Sequence, residues 1–374
     1  MSLIFVGNAL GFITAALFID SIRESLGRGK ALAVAQLLMT LGYLPMVTAA
    51  PFPVLVVGFF LVGFGMSLNL AISNVFCGSL ANGTAALGVL HGSYGLGGTL
   101  GPLIATAIVS RPGAPWSRYY LLALGLAVLG AAVASWAFMS YERDESSLAQ
   151  SVASAAAGPH HDNHRHLHHQ HAARARARAH LQGMFSAFSS RIVVLGALFL
   201  FAYQGAEVSI SGWVISFLIS ARQGDPRHVG YVTSGFWAGI TLGRFLLSGP
   251  AHRIGEKAFV YGVVVGAAVF ELLVWLVPNV VGDAVAVAIV GLLLGPVYPC
   301  AAAVVMRNMS KSEQVSGLGV ISAFGSSGGA AAPFTTGILA QAAGTFVLHP
   351  IAIGLFGVML ACWYGLPGKE KRDE

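Results

Sequence analysis

LGVLHGSYGLGGTLGP, from Leu87 to Pro102, and LGVISAFGSSGGAAAP, from Leu318 to Pro333, are two copies of one pattern. In each, Leu-Gly-Val leads to a Gly pair and then to Pro, at a constant offset of 231 residues. A second set keeps nearly the same register: Gly7, Gly11 and Gly27 recur as Gly235, Gly239 and Gly255, at an offset of 228. The chain is therefore a duplicated unit, and its halves can be read against each other.

Composition says what the unit is made of. The hydrophobic fraction is 56%, only 10% of residues are charged, and mean hydropathy is +0.73, where soluble domains carry roughly a quarter charged residues. This is the composition of an integral membrane protein. Apolar runs of about 20 residues match the hydrocarbon thickness as helices, which satisfy their own backbone hydrogen bonds in lipid. Eleven such segments are predicted: Ser2 to Ile22, Ala31 to Ala49, Val54 to Leu80, Leu87 to Ser110, Tyr119 to Tyr141, Ile192 to Ser220, Gly230 to Gly249, Phe259 to Val277, Val280 to Met306, Gly317 to Ala343 and Val347 to Pro367. Five precede the long polar interval and six follow it. Under the repeat, the first segment corresponds to the second helix of the later half, and Ile192 to Ser220 has no counterpart.

Three domains follow: a helical half over residues 1–141, a linker over 142–190 and a second helical half over 191–374. The linker holds most of the twelve histidines and the run Arg174 to Arg178. It reads as a disordered cytoplasmic spacer whose basic run touches anionic lipid. The alternative, a divalent metal gathered by His160, His161, His164, His166, His168, His169 and His171, lacks acidic or cysteine partners at fixed spacing. No metal and no cofactor are expected. Placing the loop Arg23 to Lys30 inside leaves only Arg111, Arg118, Arg222 and Arg227 outside and Arg244 within the membrane, so the linker and C-terminus are predicted to be cytoplasmic. Cys77, Cys300 and Cys362 lie in apolar segments without paired spacing and read as buried thiols.

The run LGALFLFAYQGAEVSISGWVISFLI (Leu195 to Ile219), with GFWAGITLGR (Gly235 to Arg244), GPVYPC (Gly295 to Cys300) and HGSYGLGGTLGPL (His91 to Leu103), resembles the fungal major facilitator transporters related to fucose permease. The resemblance implies an all-α integral membrane protein of the major facilitator fold, two six-helix repeats with the first helix missing. It implies a secondary transporter of a small polar solute, sugar-like and proton-coupled, working by alternating access as a monomer in a plasma or internal membrane. The other reading is a non-transporting membrane sensor or an inactive truncated transporter. No nucleotide-binding loop or nucleophile constellation is present, so neither an enzyme nor a nucleic-acid partner is expected.

Candidate functional residues follow from polarity inside apolar segments, because a charge in hydrocarbon is costly. Glu207 lies in the middle of its segment, and Tyr203, Glu207 and Ser211 recur at four-residue intervals on one helix face, with Gln204 beside them. Burial makes this carboxyl a candidate to carry a proton or to bind solute; a structural hydrogen bond or ion pair is the alternative. Arg244, Asn69 and Tyr298 complete the substrate and proton-coupling set. Asn69 shares a face with Ser73. Glu271 reads as structural, and Trp213 and Trp237 either stack on a sugar ring or pack. Gly97, Gly101 and Pro102, with Gly328 and Pro333, are expected to serve helix packing or hinging. Glu24, Gly27 and Arg28 resemble the family's cytoplasmic latch, although Ser25 and Asp20 depart from it; a plain basic turn is the alternative.

Overall fold

The computed structural model describes residues 3–80, 83–156, 190–309 and 311–367. Its elements are α1 (Leu3–Val47), α2 (Phe52–Ser79), α3 (Gly83–Val109), α4 (Arg118–Ala156), α5 (Arg191–Arg222), α6 (Gly230–Ile254), α7 (Glu256–Leu276), α8 (Val280–Leu294), α9 (Val297–Asn308), α10 (Lys311–Ala343) and α11 (Leu348–Gly365), with a 3₁₀ turn at Thr345–Val347. No strand occurs among the described residues. Among the described residues, seven helical segments are apolar and long enough to cross a membrane by length and composition, and Leu3–Ile19 is a shorter apolar helix. The spans outside that set include α6 and α10, which carry charged ends and many small residues where they pack on neighbouring helices.

Among the described residues eleven spans result, because α1 contributes two and α8 with α9 make one. Gly27 breaks α1 with φ 77° and ψ 171°. Its repeat partner Gly255 separates α6 from α7 with φ 99° and ψ 122°. Both turns need a positive φ that L side chains resist, which is why glycine occupies the position twice. The second break is at Gly295 and Pro296: proline has no N–H to continue the ladder, so α8 ends and α9 begins.

The repeat extends to atomic contacts. A Cβ on Gly11 would fall inside van der Waals distance of the Phe60 carbonyl oxygen, and one on Gly239 of the Ala288 oxygen. The reciprocal contacts are Gly63 on Asn8 and Gly291 on Phe236. All four residue pairs obey the offset of 228. Helices α1 and α2 therefore cross backbone to backbone, as α6 and α8 do, the close approach that lets dispersion hold helices where lipid gives no hydrophobic drive.

The halves meet along two seams, α3 against α6 and α1 against α10. The repeat relates one seam to the other, since the start of α1 corresponds to α6 and α3 to α10. On the first seam, a Cβ at Gly95 would lie 2.6 Å from Thr241 Oγ1, and one at Gly98 would lie 3.1 Å from the Trp237 ring. Farther along, the Ser110 hydroxyl donates to the Arg227 carbonyl over 2.9 Å.

The main buried core lies in the second half and spans α5 to α11. At one end of it, Arg222 in the last turn of α5 reaches Asp283 in the first turn of α8 at 3.1 Å, and also donates to the carbonyls of Val274 and Trp275. Arg222, expected as an exposed loop charge, is thus a pinning residue. Asn279 caps α8 by accepting from the backbone N–H groups of Val281 and Gly282. Replacing Asp283 by Ala strands a guanidinium in this interior, and the expected loss is about 3–5 kcal/mol. Thermal unfolding of purified protein in detergent measures it.

One expectation needs correction. Helix α4 runs to Ala156, into the interval taken as disordered linker. Glu142 to Ala156 contains no Gly or Pro, and the first breaker is Gly158-Pro159. The rest of that interval, 157–189, with its histidines, lies outside the described residues. Val280 to Met306, expected as one segment, holds as one span over Val280–Asn308, with the break at Gly295-Pro296 inside it.

Candidate functional site

Helix α5 carries Tyr203 and Glu207 one turn apart on a face that turns into the protein. Glu207 is 7% exposed and Tyr203 is 1% exposed. Gly295 lets the α8 end approach α6 so closely that its Cβ would lie 2.8 Å from the Arg244 backbone nitrogen. That approach sets Arg244 and the first turn of α9, with Tyr298, beside α5. Arg244 is within electrostatic reach of Glu207 and Tyr203, as are Tyr94 of α3 and Tyr298. The Tyr203 and Tyr298 rings lie 6.1 Å apart, and Tyr94 meets Trp237 edge-on at 6.1 Å. One acid and one base are therefore ringed by aromatic side chains from both halves.

The group is not a closed ion pair. Glu207 Oε2, Tyr203 Oη and Arg244 Nε are all buried, and none makes a hydrogen bond of normal geometry, although Tyr203 lies close to both charged groups. Unsatisfied polar atoms cost free energy in a dry interior, so three of them in one group make this the candidate site.

Of the residues expected here, the structure brings together Glu207, Tyr203, Arg244 and Tyr298. Gln204 turns to α10, where a Cβ on Gly325 would lie 3.5 Å from its amide nitrogen and one on Gly329 would lie 3.6 Å from its amide oxygen. Asn69 accepts from the Ser73 hydroxyl within α2 at 3.5 Å and is not a hydrogen-bond or electrostatic partner of this group. Ser211 donates to the Val208 carbonyl. Trp213 is held as a packing residue, its indole N–H donating to the Pro333 carbonyl over 2.9 Å. Trp213→Phe is expected to cost about 1 kcal/mol in thermal unfolding through that bond alone. Tyr94 was not anticipated. It sits inside the quoted repeat, but its neighbour Trp237 is 143 residues away in sequence.

The packing residues divide. Gly328 meets the Phe201 main chain so closely that any Cβ would overlap its carbonyl oxygen. Gly97, its repeat partner, would meet nothing within 4 Å. Gly101 lies 3.1 Å from Tyr119 Oη by the same construction. Gly97 and Gly101 line a mostly apolar groove of about 450 Å³ between the second part of α1, α3 and α4, with Gln36, Tyr43 and Leu126. In the second half, α5 fills the corresponding place against α10 and α11. Pro102 and Pro333 lie inside α3 and α10. At the turn after Ser25, Gly27 provides the break and Arg28 is half-buried; the Glu24 side chain lies outside the described residues. The equivalent turn of the second half is tied by Glu256, which pairs with Arg307 at 2.9 Å, and by Lys257, which donates to the Leu366 carbonyl.

The Major Facilitator Superfamily model matches residues 1–333 and again 209–374. The chain belongs to the Major Facilitator Superfamily. Members of this superfamily are membrane transporters and not enzymes, and this one is a multi-pass membrane protein. Among curated relatives, Bypass of stop codon protein 6 of Saccharomyces cerevisiae is 26% identical over 97% of this chain and 72% of its own length. A glucose/galactose transporter of Brucella abortus is 28% identical over 50% of this chain and 44% of its own length. In solved structures, a D-xylose-proton symporter covers 100% of this chain and 88% of its own, with TM-score 0.73 at 12% identity. The fucose:proton symporter of E. coli covers 98% of this chain and 90% of its own, with TM-score 0.63 at 15% identity. At these identities the structures establish the superfamily fold.

Proposed function

We propose that this superfamily member is a proton-coupled transporter of a small, sugar-like solute, working as a monomer by alternating access with its linker and C-terminus in the cytoplasm. The observation that carries this reading is the buried Glu207 and Arg244 within a ring of Tyr94, Tyr203, Tyr298 and Trp237 drawn from both halves. Aromatic faces accept the apolar face of a sugar ring, and the polar groups among them orient its hydroxyls. The partly sugar-specific relatives point the same way, though they speak for their own substrates.

The geometry supplies a coupling step. With Glu207 ionised, Arg244 is its counter-charge. A proton on Glu207 removes that attraction and leaves the Arg244 guanidinium and the Tyr203 hydroxyl to solute oxygens. Solute and proton are then bound in one group that spans the seam between α3 and α6. Rocking of the halves on their two seams would change which side of the membrane the group faces. The test is uptake into liposomes of purified protein from a panel of hexoses, pentoses and deoxy sugars, with and without an inward proton gradient. Gradient-dependent accumulation of at least one sugar supports the reading; gradient-independent or absent uptake across the panel sinks it.

A further inference from the structure

At the end of the second half where α5 and α7 finish and α8 and α11 begin, two buried charged pairs lie side by side. One is saturated: Arg222 bonds Asp283 and two main-chain carbonyls. The other is not. His349 Nδ1 and Glu271 Oε1 are 2.7 Å apart, with both residues 0% exposed, yet Glu271 Oε2 and His349 Nε2 are buried without any hydrogen-bond partner. The Phe217 ring separates the pairs, edge to face with His349 at 4.2 Å and beneath the Arg222 guanidinium at 4.9 Å.

We propose that Glu271 and His349 form a proton-binding site, separate from the central group around Glu207, which takes up and releases one proton. One hydrogen lies between Nδ1 and Oε1. Each partner keeps one further atom, Nε2 or Oε2, to which a proton from water can add, raising the charge of the pair by one. A pair retained for stability alone would have those atoms satisfied, as its neighbour does. The charged groups facing the pair are Arg222 of α5 and Asp283 of α8, whose opposite charges cancel. Arg307 of α9 is engaged by Glu256, Arg244 of α6 lies beside Glu207, and Asp225 and His228 in the α5–α6 loop are exposed and bonded to each other at 3.0 Å. The site stands whether or not the chain carries sugar.

The experiment is infrared titration of the carboxyl C=O absorption in purified protein reconstituted in lipid, for the native sequence and for Glu271→Gln, His349→Gln and Glu207→Gln. The expected result is a component of the protonated-carboxyl band, seen in the native-minus-Glu271→Gln difference spectrum, that grows as pH falls, is displaced in its titration in His349→Gln and is still present in Glu207→Gln. A native-minus-Glu271→Gln difference spectrum with no titrating carboxyl or imidazole band, while both proteins stay folded, overturns the proposal. If Glu271→Gln does not fold, Glu271→Asp keeps a carboxyl one methylene shorter. The band must then shift in frequency, and an unshifted band overturns the assignment.

Discussion

Glu207→Gln is expected to fold, insert and bind solute while losing accumulation driven by a proton gradient. Glutamine keeps the shape and hydrogen-bonding reach of the protonated acid but can neither take up nor release a proton. Arg244 loses its counter-charge and stays in the configuration that the proposed function assigns to the protonated state. Solute therefore still exchanges across the membrane, so counterflow between preloaded liposomes and medium should persist. A pH gradient of about one unit is worth about 1.4 kcal/mol per proton, or about tenfold accumulation for one proton per solute. The variant should lose that tenfold and sit at equilibrium distribution. Tritiated-sugar uptake with and without the gradient measures it, and undiminished accumulation would place the coupling acid elsewhere.

Gly328→Ala and Gly97→Ala should differ sharply although the two positions are repeat partners. At Gly328 the added methyl overlaps the Phe201 carbonyl, and main chain cannot rotate away. Helices α5 and α10 must separate, and α5 carries Glu207 and Tyr203. The expected loss is about 1–3 kcal/mol or more, of the kind seen on overpacking a close contact, together with loss of solute binding. At Gly97 the same methyl enters open space, and the change should be within about 0.5 kcal/mol, as for surface substitutions. Thermal unfolding in detergent and binding by scintillation proximity report both. Equal melting temperatures for the two variants would show that the α5–α10 contact does not bear on stability.

The fold was legible because lipid imposes a simple rule on sequence. Each span is a long apolar run, and the run boundaries fell within a few residues of α2, α3, α7 and α11. The offset of 228 even anticipated the shared turn at Gly27 and Gly255. What failed to show were events that obey other rules. Helix α4 outlasts its apolar run because helix propensity does not stop at the membrane surface. The break at Gly295-Pro296 was visible in the GPVYPC motif, yet apolarity continues through it. Within the candidate site, Glu207, Tyr203 and Arg244 were legible as polar residues out of place. Tyr94 and Trp237 were not read together, because their meeting depends on how α3 lies on α6, which no local pattern encodes. His349 and Glu271 were hidden for the same reason: their partnership spans 78 residues.

Where Gly11 meets Phe60 and Gly239 meets Ala288, main chain rests on main chain with no rotatable atom between. Such a crossing cannot yield through a change of side-chain rotamer, so α1 with α2, and α6 with α8, turn as single bodies. The seam between halves is built differently: Gly95 and Gly98 face Thr241 and Trp237, side chains that can swing. The side chains free to move thereby lie where the two halves meet. Spin labels across a crossing should keep one distance in every state of the protein, and labels across a seam should not.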